Sequence, residues 1–161
     1  MPYVDTGAVS LFLDEAGSGG IPVLLLHELG GSSESWRAVI PLLAADRQVI
    51  APDLRCAGRS EKPPGGFALT DAADDLDAML GALSIDRVDV IGAALGSLVG
   101  ALLAIRHPAR VGRLMMCAPR QAWRIPSRKR APPSGRLIAA SIWPTTPLPT
   151  PNCHWRWRGW R

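Results

Sequence analysis

Acidic residues are absent from the last 43 positions of this 161-residue chain. Residues 119–161 hold nine Lys or Arg and no Asp or Glu, whereas residues 1–118 hold nine Lys or Arg against all 14 acids. The net charge of +4 therefore describes neither part, and it excludes reading the whole chain as a uniformly basic nucleic-acid binder. Aromatics are scarce at the front, because five of the six Trp also fall after residue 118. The three cysteines, Cys56, Cys117 and Cys153, are odd in number and lack C-x-x-C spacing. That argues against a disulfide framework and a zinc site, and points to a reducing compartment. No apolar run approaches the roughly 20 residues that span a bilayer, and residues 137–143 fall far short. No basic stretch followed by an apolar one opens the chain, so no secretory signal is expected and a cytoplasmic location is.

What is present is an alternation of strand and helix signals. Residues 88–92 form a short apolar run with β-branched side chains, and a helix-forming stretch follows, with Gly92 and Gly96 at the join. Strand, sharp turn and helix in this order form the setting of a nucleophile elbow, G-x-S-x-G, in which the glycines permit a strained turn that lifts a serine above the sheet. Here the five positions are Gly92, Ala93, Ala94, Leu95 and Gly96. The glycines are in place; the nucleophile position holds Ala94, whose methyl group cannot attack a carbonyl.

Residues 9–13 read as a strand, in a hairpin with Tyr3 and Val4. Residues 23–27 are continuously apolar, as expected of a parallel strand buried on both faces. Trp36, Val39, Ile40 and Leu43 recur at helical spacing behind a Ser32 or Ser33 cap, with an interruption at Pro41. Residues 48–51 form a strand that leads into a Gly- and Pro-dense loop. A helix is predicted from about Thr70, as N-cap, to Leu83, with Leu76, Met79, Leu80 and Leu83 as its buried stripe. A helix over residues 95–106, stopped by His107 and Pro108, and a strand over 113–117 follow. Such alternation calls for an α/β fold, a mainly parallel sheet with helices on both faces. Ligands then bind where the loops after the strands' C-terminal ends gather, here residues 27–31, 53–60 and 93–96.

Three segments agree in order and spacing with one family. LLLHELGGSSESW resembles the His-Gly oxyanion segment of α/β-hydrolase-fold proteins, APDLRCAGRSEKP their D-x-R-G-x-G-x-S loop, and VIGAALGSLVGALLAIRHPARVGRLMMCAP their elbow, helix and next strand. Residues 1–118 thus resemble the N-terminal half of an α/β-hydrolase domain, closest to enol-lactonase-like, esterase-like and C–C-bond hydrolases. Glu28 and Cys56 stand where glycine is usual, and Ala94 where serine is. The triad Asp and His, which follow the nucleophile in chain order, are not recognisable after it.

The resemblance implies hydrolysis of an ester, lactone or amide without metal or organic cofactor, the substrate being a small carbonyl compound. It implies oxyanion donors on the backbone N–H groups of Leu29 and Leu95, each worth about 3 kcal/mol when aimed at a developing charge, with His27 and Gly30 shaping that loop. Ala94 implies either an inactive relative or a serine-less one, as in aminoacrylate hydrolase with its GHALG elbow, where water attacks. Glu28 is then a candidate general base for that water; its alternative is a surface carboxylate paired with an Arg. Ser97, in the first helical turn, faces away and does not replace the missing serine. Asp53, Arg55 and Ser60 read as the hydrogen-bonding set of their loop. Cys56 reads as a structural thiol, since no His is in view to activate it. His107 terminates a helix, and His154 lies in the unpatterned tail.

Residues 119–161, with eight Pro, eight Arg and five Trp, keep no helical or strand period and read as an irregular basic tail. Its charges and rings are suited to nucleic acid or an anionic membrane, which would make the protein a binding module rather than an enzyme. The abrupt loss of every acid is also what out-of-frame translation of a GC-rich gene produces. With only half a sheet, the strand after residue 91 would present an open edge, and self-association through it is expected.

Overall fold

The structure, a computed structural model, describes residues 2–117 and the backbone of residues 153–155. At its centre lies β3, Val23–Leu26, with all four residues buried. Side chains alternate across a strand, so Leu24 and Leu26 enter one apolar cluster while Val23 and Leu25 enter another on the opposite face. Each fully buried Leu contributes roughly 1.5–3 kcal/mol relative to exposure, which explains the absence of polar alternation here.

Six strands form one sheet in the order β1-β2-β4-β3-β6-β7. The hairpin β1 (Tyr3–Asp5) and β2 (Ser10–Ala16) is antiparallel, and β2 also runs antiparallel to β4 (Val49–Pro52). From β4 onward the sheet is parallel, through β3 to β6 (Val88–Ala93) and β7 (Val111–Cys117). Helices α2 (Leu69–Ala82) and α3 (Leu95–Arg106) bury Leu76, Met79, Leu80, Val99 and Leu103 against one face. The other face is covered by Trp36 and Ile40. The mainly parallel sheet with helices on both faces is the architecture expected from the alternation of signals.

Details differ from the sequence expectation. The helix marked by Trp36, Val39, Ile40 and Leu43 forms as a 3-10 turn, Ser33–Trp36, and a single turn of α-helix, α1 (Ile40–Leu43). Pro41 falls in the first turn of α1, where a missing N–H costs nothing, and Ser32 caps the 3-10 turn by accepting from the Glu34 N–H. The N-cap of α2 is Ala68 rather than Thr70. Asp71 makes the cap, its carboxylate accepting the Ala68 N–H at 2.9 Å. Inside the Gly-rich loop a short strand, β5 (Gly65–Phe67), pairs in parallel with β8 (Cys153–Trp155), so the stretch expected to be irregular contains a three-residue strand. The remaining expectations for residues 119–161, including the role of His154, lie outside the described residues. Among the described residues no helix is long and apolar enough to cross a membrane, and β7 has a partner strand on one side only.

Candidate functional site at the strand ends

The parallel strands β4, β3 and β6 all end at one edge of the sheet, and the chain that leaves each of them meets there. Residues from His27 to Gly31, from Leu54 to Gly58, and Leu95 with Val99 line a common cleft of about 80 Å³. Its apolar wall is completed by Phe67, Leu69 and Ala72. The three loops expected to gather do so. The contributions of β5 and of the start of α2 were not legible, because GGF carries too short a pattern to mark a strand.

The elbow is built as a strained turn. Ala94 has φ 44° and ψ −103°, a region that a residue with a Cβ rarely occupies and that costs of order 1–3 kcal/mol. The surroundings hold it there. Its N–H donates to the Cys117 carbonyl of β7 at 2.9 Å, and its own carbonyl accepts the Ser97 N–H at 3.1 Å. Gly92 and Gly96 permit the tight approach of strand and helix: a Cβ on Gly92 would lie 2.5 Å from the Gly96 carbonyl group, and one on Gly96 would collide with the Leu26 carbonyl. Ser97 is fully buried, and its hydroxyl donates to the Gly92 carbonyl at 2.6 Å, beneath the elbow rather than into the cleft.

At the head of α3 the Leu95 N–H belongs to the first turn, which has no intrahelical acceptor to offer. Among the described residues neither it nor the Leu29 N–H has a hydrogen-bond acceptor, and both residues line the cleft. Gly30 holds a left-handed φ of 78° beside Leu29, with nothing within 4 Å of a notional Cβ.

Glu28 lies half-buried in the cleft lining, and Ser35 donates its hydroxyl to one carboxylate oxygen at 2.9 Å. The carboxylate folds over Gly31, where any side chain would strike it at 2.6 Å. Among the described residues Glu28 makes no ion pair, so the Arg partner considered from the sequence is replaced by a hydroxyl seven residues on.

His27, 1% exposed, uses both ring nitrogens. The Leu54 N–H donates to Nε2 at 3.0 Å, which requires that nitrogen to be unprotonated. The proton is therefore on Nδ1, which donates to the Glu28 carbonyl at 2.7 Å. Burial holds the ring below the usual His value, against the raising effects of the Glu28 carbonyl and of Asp53.

The loop after β4 is organised by Asp53, wholly buried, whose carboxylate accepts the Ser33 N–H at 2.6 Å and the Arg59 N–H at 2.7 Å. A side chain on Gly58 would collide with that carboxylate. Ser60 bridges the Phe12 N–H and the Asp53 carbonyl. Arg55 lines the cleft yet is fully engaged, forked onto Asp75 of α2 at 2.5 and 2.7 Å with its guanidinium 5.4 Å from the Phe67 ring centre. Burial raises the Asp75 carboxyl above its usual range, with Arg55 pulling it back. Cys56 is disulfide-bonded, which departs from the expected free thiol and leaves it no thiolate to attack with, while Cys117 is free. His107 lies at the far end of α3, held by Asp74 at 2.9 Å.

Comparison with known proteins gives this arrangement relatives. The family model for the alpha/beta hydrolase fold matches residues 21–139. A protein named for carbamate hydrolysis, RutD of Azorhizobium caulinodans, is 37% identical over 114 residues, covering 71% of this chain and 43% of its own length. The 2-hydroxymuconate semialdehyde hydrolase of a Pseudomonas species is 39% identical over 101 residues, covering 60% and 36%. Among solved structures, the epoxide hydrolase CorEH superposes with a TM-score of 0.68 at 38% identity, over 71% of this chain and 40% of that one. The chain thus spans less than half the length of each of these relatives.

Proposed function

Because the chain belongs to the alpha/beta hydrolase fold family, we propose that its cleft holds a small ester, lactone or amide by its carbonyl group and that water, not a side chain at the elbow, attacks it. The observation that carries this reading is the pair of N–H groups, of Leu29 and Leu95, that line one cleft without an acceptor among the described residues. Donors fixed before the reaction stabilise the oxyanion without reorganising, and they need no particular side chain. The exchange of serine for Ala94 therefore removes the covalent step and leaves the electrostatic one.

The rest of the site is consistent with that division. A strained backbone at Ala94 serves no hydroxyl, yet it sets the start of α3 and with it the direction of the Leu95 N–H. Neither His27 nor Ser97 is available to act as base or nucleophile, since each is spent on backbone partners. Glu28 is the carboxylate in the cleft lining with an oxygen left over from Ser35. In the proposed reaction that oxygen takes a proton from the attacking water as the C–O bond forms. The tetrahedral oxyanion rests on Leu29 and Leu95, then collapses with loss of the alcohol or amine, which receives the proton. The apolar wall of Leu54, Phe67, Leu69 and Val99 suits an uncharged acyl group.

The test is hydrolysis of p-nitrophenyl acetate by the full chain, followed by intact-mass analysis. Nitrophenolate release without any acyl adduct is expected, falling at least tenfold in Glu28→Gln with the circular dichroism unchanged. An adduct on the unmodified chain, equal rates in the two proteins, or no release at all would overturn the reading.

A further inference from the structure

Glu28 stands at a position where glycine is usual, so its carboxylate needs an anchor that belongs to this chain. Its backbone is fixed first. The Glu28 carbonyl accepts the Gly31 N–H at 3.0 Å, closing a turn in which Gly30 takes a left-handed φ of 78°. Between that backbone and the carboxylate remain rotatable side-chain bonds, and a glutamate loses more rotamer freedom on being held than most residues do.

The anchor is Ser35, whose hydroxyl donates to Glu28 Oε1 at 2.9 Å. It is carried by a well-braced piece of chain, the 3-10 turn Ser33–Trp36. Ser32 caps that turn at the Glu34 N–H, the Ser35 N–H donates to the Ser32 carbonyl at 3.0 Å, and the buried Asp53 carboxylate accepts the Ser33 N–H at 2.6 Å. A fixed donor thus holds a flexible acceptor. Gly31 leaves the space in which they meet, since a Cβ there would lie 2.6 Å from Oε1 and 2.9 Å from Ser35 Oγ.

This bond also distinguishes the two carboxylate oxygens. An ionised carboxylate only accepts, so Oε1 is engaged by the hydroxyl, while Oε2 has no hydrogen-bond donor among the described residues. Glu28 lines the cleft and Ser35 does not. A general base works only when held within hydrogen-bond reach of the proton it takes, so an anchor on one oxygen sets where the other can act.

We propose that Ser35 is the positioning residue for Glu28, anchoring Oε1 so that Oε2 takes the proton from the attacking water. This rests on the hydrolase reading of the cleft. Ser35 touches neither substrate nor water in this account and transfers no proton; its whole effect passes through Glu28.

That dependence supplies the test, made on the full chain with p-nitrophenyl acetate. Ser35→Ala should lower kcat about fivefold, the equivalent of one hydrogen bond, with KM and the urea midpoint unchanged. Ser35→Thr, which keeps a hydroxyl, should recover most of the rate. In a Glu28→Gln background the same Ser35→Ala change should cost nothing further, because the base it positions is already gone. A merely structural serine would give the same loss in both backgrounds. That result, an undiminished kcat in Ser35→Ala, or a Ser35→Thr variant as slow as Ser35→Ala, overturns the proposal while leaving the hydrolase reading standing, provided that Glu28→Gln alone is slow. If Glu28→Gln is as fast as the parent, or neither releases nitrophenolate, the hydrolase reading falls and this proposal falls with it.

Discussion

Gly96, at the start of α3, lies against the Leu26 carbonyl of β3 so closely that a Cβ there would collide with the oxygen and stand 2.5 Å from the carbonyl carbon. Both atoms it would strike are backbone in the most buried strand, so neither can yield cheaply. Gly96→Ala is expected to cost about 3 kcal/mol, at the upper end for overpacking, or to prevent folding. Urea denaturation checks it, with Gly30→Ala in the open loop as a milder control whose cost comes from backbone strain alone.

Much of this was legible in the sequence because it is local or periodic. The apolar run at 23–26 reads as a strand buried on both faces, and G-x-x-x-G between a β-branched run and a helix reads as a tight strand-to-helix join. Less visible were contacts that depend on tertiary approach. Nothing local in S-S-E-S-W announces that Ser35 turns back to Glu28, and nothing in the Arg55 loop announces Asp75, twenty residues on, as its partner. The break in residues 33–43 was legible at Pro41, whereas the 3-10 form of the first piece, Ser33–Trp36, was not, because helical spacing does not distinguish the two kinds of turn. The N-cap of α2 was misplaced because a carboxylate at the third helical position can cap a residue, Ala68, that has no polar side chain of its own.

Ala94 has a Cβ in a conformation that glycine adopts more readily. Ala94→Gly is therefore expected to stabilise the fold by about 1 kcal/mol, the relief of strain exceeding the added freedom of the unfolded chain. Ala94→Ser, which keeps the Cβ, should leave the urea midpoint nearly unchanged. A destabilised Ala94→Gly would mean that the methyl group itself packs against something the elbow requires.

Arg55 and Asp75 are 10% and 4% exposed and make a two-pronged contact. Breaking such a pair strands a charge, so Arg55→Met should destabilise by about 3–5 kcal/mol. Replacing both partners, as in Arg55→Met with Asp75→Leu, removes the stranded charge and should recover most of the loss. The double-mutant comparison by chemical denaturation separates the two effects. Equal losses in the single and double variants would show that packing of the Arg55 stem, rather than its charge, is what matters.

Among the described residues β7 is an edge strand, and Met115 and Met116, on its two faces, are 58% and 40% exposed. Arg113 is its one charge, and it carries neither Pro nor Lys, the devices that blunt edges. A second copy of the strand, running antiparallel, can complete its backbone hydrogen bonds. Sedimentation equilibrium should show concentration-dependent association, weakened by Met115→Lys. Monomer at all concentrations, or association indifferent to that substitution, would rule this edge out.

His27 makes the stability of the site loops sensitive to acid in a defined direction. Its folded value lies below the usual 6.5, chiefly because the ring is buried. The unfolded chain therefore binds the proton first, and between pH 6.5 and the lowered folded value the unfolded state carries more protons than the folded one. Stability should be fully present above pH 6.5, decline as the pH falls through that window, and level off below the folded value. Protonation would also place a hydrogen on Nε2, where the Leu54 N–H already points, so the charged ring loses its bond to the loop after β4 as well as its hydration. Urea midpoints measured from pH 7.5 to 5 should fall for the unmodified chain, and this component should vanish in His27→Gln, which cannot titrate. The exposed Asp74, held below its usual range chiefly by its bond to Arg106, acts only below pH 3.8 and cannot imitate the effect. A slope in His27→Gln equal to that of the parent would place the acid sensitivity elsewhere and show that the buried imidazole is tolerant of charge.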